Sequence, residues 1–209
     1  MKFYDCSTAP SPRRVRIFLA EKGITVPTVQ VDLRKGEQLG AAFRAVNPDS
    51  TVPVLELDDG TRIADIVGIC RYFEEIQPAP PLMGRNPAEK AVMEGWQRWC
   101  ERECFYAVMD AFRNATPGLK GRASPGPDDY EQIPALAERG RARVTSFFRR
   151  LNERLADNEF IAGTVYGIAD ITAMVSIDFA GWIKLRPTED QPHLRRWHAA
   201  VSARPSAKA

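Results

Sequence analysis

Net charge is almost absent from this chain: 29 lysines and arginines stand against 27 aspartates and glutamates, leaving +2 over 209 residues. So even a balance offers no long-range field to a polyanion, and neither nucleic acid nor a membrane surface is expected as a partner. Long apolar runs are missing too. The longest, residues 168–183, is interrupted by Asp170 and Asp178 and is too short for a bilayer. Met1-Lys2-Phe3-Tyr4-Asp5 reaches an acid before any apolar run develops, which argues against a secretory signal, and a soluble cytoplasmic protein is expected. Cysteine is scarce. Cys6, Cys70, Cys100 and Cys104 form no CxxC pair and have no companion histidine spacing, so no metal site is expected. Cys100 and Cys104, one helical turn apart, read as buried, reduced and inert. No internal repeat or low-complexity tract occurs, and the length suits one large domain or two small ones.

What is present concentrates between residues 51 and 67. Thr51-Val52-Pro53-Val54-Leu55 reads as a strand begun through a proline, Asp58-Asp59-Gly60 as a tight hairpin turn, and Ile63-Ala64-Asp65-Ile66-Val67 as a second strand leading into a helix. Pro53 has no amide hydrogen, so it belongs at a strand start or an edge. There it leaves the amide and carbonyl of Val52 facing outward, and the small trans preference of an X-Pro bond admits the cis form. An extended peptide can pair with Val52 in antiparallel fashion. That is a ligand site made from backbone.

Around this stretch, strand and helix patterns alternate. Residues 2–6 read as a strand, and Ser11-Pro12 as an N-cap serine with proline at the first helical position of a helix that stops at Gly23. Strands over 28–31, 54–57 and 62–63 follow, then a helix over 66–75 capped by Asp65. Pro78-Ala79-Pro80-Pro81 stops any helix, which suggests domains over 1–77 and 87–209 with a linker over 78–86. Beyond it the pattern is helical. Met93, Trp96, Cys100, Cys104, Ala107 and Ala111 form one apolar stripe along a long helix, and Leu136, Gly140, Val144, Phe147, Leu151 and Leu155 form a second. Residues 116–129 between them, rich in glycine and proline, read as a mobile loop. Residues 168–183 are apolar on nearly every face, the mark of a helix central to a bundle, and Asp170 follows Gly167 at capping-box spacing. Leu194, Trp197 and Val201 face the core from the last helix, and His193 and His198 read as structural.

Four segments together carry a resemblance. They are Phe3-Tyr4 followed by Arg13-Arg14-Val15-Arg16-Ile17-Phe18-Leu19; Asn47-Pro48 with Thr51-Val52-Pro53-Val54-Leu55; Asp65-Ile66-Val67-Gly68-Ile69; and Phe160-Ile161-Ala162-Gly163 to Ile168-Ala169-Asp170. Over nearly its whole length the chain resembles the cytosolic glutathione transferase family, in its bacterial theta- or nu-like form. The resemblance implies an α+β fold: a thioredoxin-like N-terminal domain with a four-stranded mixed sheet, then an all-α C-terminal bundle. It also implies glutathione as cosubstrate, a role in detoxification, and a homodimer. The dimer would set helix 66–75 against the partner's long helices, with Tyr72 and Phe73 as anchors.

Glutathione is an anionic tripeptide whose thiol must ionise to attack an electrophile. A hydrogen bond to a charged group is worth roughly 1.5–3 kcal/mol, so one donor near sulfur lowers the thiol pKa by about one or two units. The resemblance assigns glutathione binding to Gln38, Thr51, Val52, Pro53, Asp65 and Ile66. Val52 and Pro53 would hold the cysteinyl unit, Asp65 the ammonium, and the amides of Ile66 and Val67 the carboxylate, at the positive end of a helix. The chain departs from the family's pattern in places. Ile66 replaces a serine whose hydroxyl would contribute about 1–3 kcal/mol, and Asp65 is one methylene shorter than the family's glutamate. Ala9 and Pro10 stand at the usual catalytic serine and cysteine positions.

Thiol activation then falls to Ser11, with Thr8 and Ser7 behind it, while a plainer reading makes Ser11 a helix cap alone. Arg13, Arg14 and Arg16 read as a solvated face, or as positive potential around the anion. Cys6 and Tyr4 read as packing residues. The pocket for the electrophile is assigned to Trp99, Glu103, Tyr106 and Arg113, with Trp182, although aromatics at helical spacing are also ordinary core. The expected reaction is thiolate transfer from glutathione to a hydrophobic electrophile. Two others stay open: glutathione-dependent disulfide reduction of a small disulfide, and a non-catalytic binding or scaffold role in which Ala9, Ile66 and the short acid mark a decayed groove.

Overall fold

In the computed structural model, which describes residues 1–209, strand β1 (Lys2–Asp5) turns Phe3 and Asp5 inward and Lys2 outward, the period-two pattern of a pleated chain. It pairs in parallel with β2 (Thr28–Gln30), Phe3 opposite Thr28, and antiparallel with β3 (Val54–Glu56), Phe3 opposite Leu55. β4 (Arg62–Ile63) completes a mixed sheet of order β2-β1-β3-β4. With the helices on it this is the α+β arrangement expected. Contacts divide the chain into Met1–Pro80 with Pro125–Asp129 and Ala209, and Pro81–Ser124 with Tyr130–Lys208.

In the first unit, helix α1 (Pro10–Glu21) starts earlier than the sequence suggests. Proline is at home in the first helical position, where its fixed φ is helical and its missing N–H is not needed. Pro10 therefore takes that position. Ala9 becomes the N-cap, with no side-chain hydrogen bond, and Ser11 lies inside the first turn. At the other end Gly23 has φ 64°, the left-handed conformation that closes a helix. The arginines are not a solvated face either: Arg14 is only 2% exposed, and Arg16 pairs with Asp5 at 2.6 Å. A short helix, α2 (Ala41–Arg44), which carries no periodic signal of its own, precedes β3.

Helix α3 (Ile66–Ile76) buries Ile69, Cys70 and Phe73. Phe73 is 1% exposed in the chain and so cannot anchor a partner; Tyr72, edge-on to it at 5.3 Å, is half-buried. The helix ends in a buried ion pair. Lys22 Nζ lies 2.8 Å from Glu74 Oε2 and donates to the carbonyls of Gln77 at 2.7 Å and Pro80 at 2.8 Å. Gln77 Nε2 returns a hydrogen bond to the Lys22 carbonyl at 2.6 Å. Two carbonyls thus accept from the ammonium and a carboxylate lies beside it, the setting in which a buried charge is tolerated.

In the second unit α4 (Pro87–Cys100) passes through a π-helical turn, Glu101–Phe105, into α5 (Tyr106–Ala115). The wider turn re-phases the buried face. Gln97 lies in the buried stripe, whereas Trp96, expected there, is half-buried with the Arg154 guanidinium 4.6 Å from its ring. α6 (Pro134–Arg154) comes close to α5 at Gly140, where a Cβ would lie 2.5 Å from the Ala107 carbonyl. Between them the segment expected to be loose is tied down as far as residue 124. Gln132 Nε2 donates to the Arg113 and Thr116 carbonyls at 2.7 Å, and Arg113 donates to those of Arg122 and Ser124.

α7 (Ile168–Ala180) is the buried central helix and α8 (Pro192–Ser202) closes the unit. Asp170, fully buried, joins them. Its Oδ1 accepts from Ile161 N at 3.0 Å and Trp197 Nε1 at 2.9 Å, and its Oδ2 from Gly167 N at 3.0 Å. Gly167 is there because a Cβ would lie 2.4 Å from Met93 Cε and 2.6 Å from the Leu82 carbonyl. His198 pairs with Asp178 at 3.0 Å, and Asn152 accepts from the His193 amide. All four cysteines are free and buried, and burial pushes the thiols of Cys100 and Cys104 far up. No helix is long and apolar enough to cross a membrane.

Two predictions follow from these buried charges. Lys22→Met should lower the unfolding free energy by about 3–5 kcal/mol, because it strands the Glu74 carboxylate, and Lys22→Met with Glu74→Leu should recover most of the loss; denaturant unfolding of both variants checks this. Burial pushes Asp170 from 3.8 up to about 6 against its three donors. Between those values the folded state keeps a proton that the unfolded chain has released, so the stability Asp170 contributes is full below the lower value and lost as pH rises through about 6. Unfolding measured across this range should fall with pH more steeply for the wild type than for Asp170→Asn, and parallel curves would contradict the assignment.

Candidate glutathione site

β3 begins just after Val52-Pro53, whose peptide bond is cis. The β1–β3 ladder starts at Val54 opposite Tyr4, so Val52 lies outside it, and no turn or loop hydrogen bond engages its N–H or carbonyl. Its side chain is held in a cluster with Cys6, Val31, Phe43 and Val54, against which Tyr4 and Ala9 also pack. The turn before it is fixed from within by Asn47. This buried amide donates to the Thr51 carbonyl at 2.9 Å and Oγ1 at 3.1 Å, accepts from Asp49 N at 3.1 Å, and sits beside Ser50 at φ 55°. Main chain without a partner is thus presented on a rigid support.

Asp65 caps α3: its Oδ1 accepts from Gly68 N at 2.7 Å, and its carbonyl from Ile69 N at 2.8 Å. That leaves the amides of Ile66 and Val67 unbonded at the positive end of an eleven-residue helix. β4 pairs with β3 through Leu55 opposite Ile63. Asp65 follows two residues after that pair, where the strand gives way to α3. Capping uses one carboxylate oxygen and leaves Oδ2 for a cation.

Ser7 and Thr8 are exposed in the turn between β1 and α1, which the bond from Ala9 N to the Cys6 carbonyl closes at 2.9 Å. Thr8 Oγ1 is 3.5 Å from the Cys6 thiol. Pro10 and Pro12 have no N–H, so the amide of Ser11 is the one main-chain donor among the first three residues of α1. Gln38, in the 3-10 turn Glu37–Leu39, is half-buried with its Oε1 unpartnered. Thr51 Oγ1 accepts from Asn47.

The residues assigned to an electrophile pocket have the following neighbours. Trp99 stacks on Phe147 at 4.7 Å with Arg150 over its ring at 5.2 Å. Glu103 pairs with Arg102 at 2.8 Å and Arg150 at 3.6 Å, and the bond from Arg102 holds its carboxyl below the usual range. These two meet α6. Arg113 instead ties the 122–124 backbone, and Tyr106, 46% exposed, packs edge-on to Phe105 at 6.1 Å. Trp182, 53% exposed, belongs to a ring cluster with Phe112 and Phe179, and Phe179 in turn contacts Phe105. Phe112 and Phe179 were missed in the sequence because they sit among many other apolar residues. The Asn47 bonding and the Arg16–Asp5 pair were missed because both depend on long-range geometry. No group of three or more His, Cys, Asp or Glu side chains is placed to hold a metal ion.

The sequence patterns of the glutathione S-transferase N-terminal and C-terminal domains match residues 8–76 and 107–205. The chain is similar to glutathione S-transferase 2 of Saccharomyces cerevisiae, 36% identical over all of this chain and 88% of that one. It is also similar to the crystal structure of a glutathione S-transferase domain-containing protein from Marinobacter aquaeolei VT8, with a TM-score of 0.90 and 44% identity over 99% of each chain. FtsZ-localized protein A of Caulobacter vibrioides is 26% identical over 94% of this chain and 84% of its own length. The chain belongs to the glutathione S-transferase family, whose cosubstrate is glutathione.

Proposed function

We propose that this protein binds glutathione in extended form along Val52 and transfers its thiolate to a hydrophobic electrophile. The observation that carries this reading is the unpaired main chain of Val52, alongside the unbonded amides of Ile66 and Val67. The cysteinyl unit pairs with Val52 next to Pro53, the γ-glutamyl carboxylate takes the two amides, and Asp65 Oδ2 faces the ammonium, with Gln38 and Thr51 at the flanks. Ile66 adds no hydroxyl, so main-chain donors hold the carboxylate by themselves. Near sulfur, Ala9 offers no polar atom. The donors within reach of the turn are the Thr8 amide and hydroxyl and the Ser11 amide and hydroxyl, and one such bond to a thiolate lowers its pKa by about one or two units. The protein acts as a homodimer, with Tyr72 of α3 as the remaining anchor.

A second reading has one observation in its favour. A relative spanning nearly the whole chain is named for localisation with FtsZ. Retention of the fold as a binding or scaffold module would suit Ala9 and Ile66.

Asp65→Asn separates capping from ligand binding, since asparagine caps a helix as well as aspartate does. Calorimetric titration with glutathione should show the variant binding about tenfold more weakly or worse, at unchanged unfolding stability. The wild type should conjugate an activated aryl halide. Turnover of hydroxyethyl disulfide without conjugation would replace transfer by disulfide reduction, and no binding at millimolar glutathione would leave the scaffold reading. Sedimentation equilibrium at micromolar protein should give twice the chain mass; a monomer would contradict the dimer.

A further inference from the structure

The turn carrying Thr8 and Ala9 is gripped by three side chains from outside it. Asp5, at the end of β1, is 1% exposed and accepts from Arg16 Nη1 at 2.6 Å and from Gln30 Nε2 at 2.7 Å. The far ends of both donors reach Ser7. Arg16 Nη2 donates to the Ser7 carbonyl at 3.0 Å, and Gln30 Oε1 accepts from the Ser7 amide at 2.9 Å. Arg16 Nη1 also lies 3.4 Å from the Cys6 carbonyl. One buried carboxylate thereby orients a guanidinium from α1 and an amide from β2, and the pair holds both main-chain polar groups of Ser7. Because a guanidinium is a planar fork, fixing one nitrogen on Asp5 fixes where the other points. Thr8, next in the chain, keeps its main-chain groups unbonded.

We propose that Asp5, Arg16 and Gln30 form a clamp that positions the turn's free donors on the glutathione thiolate. The proposal rests on the glutathione-binding reading above. These three are positioning residues and touch no substrate. With alanine at position 9, no flexible side chain there can follow the sulfur, so stabilisation falls to donors whose place is set by the main chain. A donor held in place before the charge develops requires no reorganisation when it forms. Asp5 and Arg16 are the charged members of the clamp and offset each other, so the clamp acts through geometry rather than net potential. Affinity for the tripeptide comes from Val52, Ile66, Val67 and Asp65, none of which is bonded to the three clamp side chains. Loosening the clamp therefore separates thiol ionisation from binding.

Two variants test this. Gln30→Met alters an exposed residue of edge strand β2, and Arg16→Lys keeps the charge while losing the fork. The pKa of the bound thiol is read from thiolate absorbance against pH in the binary complex, with the glutathione Kd measured alongside. Both variants should raise that pKa by about one unit, which for a bound thiol of pKa about 6.5–7.5 is about a three- to eightfold loss of thiolate at neutral pH, while Kd changes less than about threefold. Amide hydrogen exchange at Ser7 should quicken in both. An unchanged thiol pKa in folded Gln30→Met overturns the clamp, even where Arg16→Lys fails to fold. So does a loss of affinity equal to the loss of ionisation, which would mark a merely structural role. A wild type that does not bind glutathione overturns the functional reading, and the clamp with it, before any variant is made.

Discussion

An imino acid at the start of β3 cannot donate a hydrogen bond, and the ladder with β1 begins only at Val54. Val52 is therefore left with an unpaired amide and carbonyl on otherwise buried, well-supported chain. Unsatisfied main chain in such a place is costly unless something pairs with it. The amides of Ile66 and Val67 add two more open donors from the start of α3. These groups belong to the backbone. A substitution such as Ile66 for serine removes one donor from the ligand site without abolishing it.

Elsewhere three buried charges are held by several partners each. The Lys22 ammonium pairs with Glu74 and donates to two carbonyls, Asp170 accepts from three donors, and Asp5 holds two partners that in turn hold Ser7. Each ties separate elements together, and each is costly to break because it would strand a charge away from water. Open main chain at Val52 and at the start of α3 is what marks the candidate site. Helix α3 belongs to both patterns. Asp65 satisfies one amide of its first turn, leaves two others open, and keeps one oxygen free.

Features that depend on local chain chemistry were legible in the sequence. The hairpin at Asp59-Gly60, the Asp65 cap, the all-round apolar α7 and the carboxylate of Asp170 reaching back to Gly167 each follow from a few adjacent residues. Where two local rules competed, the reading slipped. Ser11 is a good cap in isolation, but Pro10 has the stronger claim on the first helical position and moved the cap to Ala9. Arg14 and Arg16 looked like solvent-facing charge, but Arg14 is buried and the partner of Arg16 lies on β1. Phe73 looked exposed enough for an interface, yet helical phase turns it into its own core. The π turn at 101–105 leaves no trace in an apolar stripe whose spacings of three and four are equally those of an unbroken helix.

Main-chain amide shifts measured by NMR during titration with glutathione address the central claim most directly. The account predicts saturable shifts at the amides of Val52, Ile66 and Val67, with smaller changes at Thr8 and Ser11. Saturable shifts that leave those three amides unmoved, or no shifts at millimolar ligand, would contradict it.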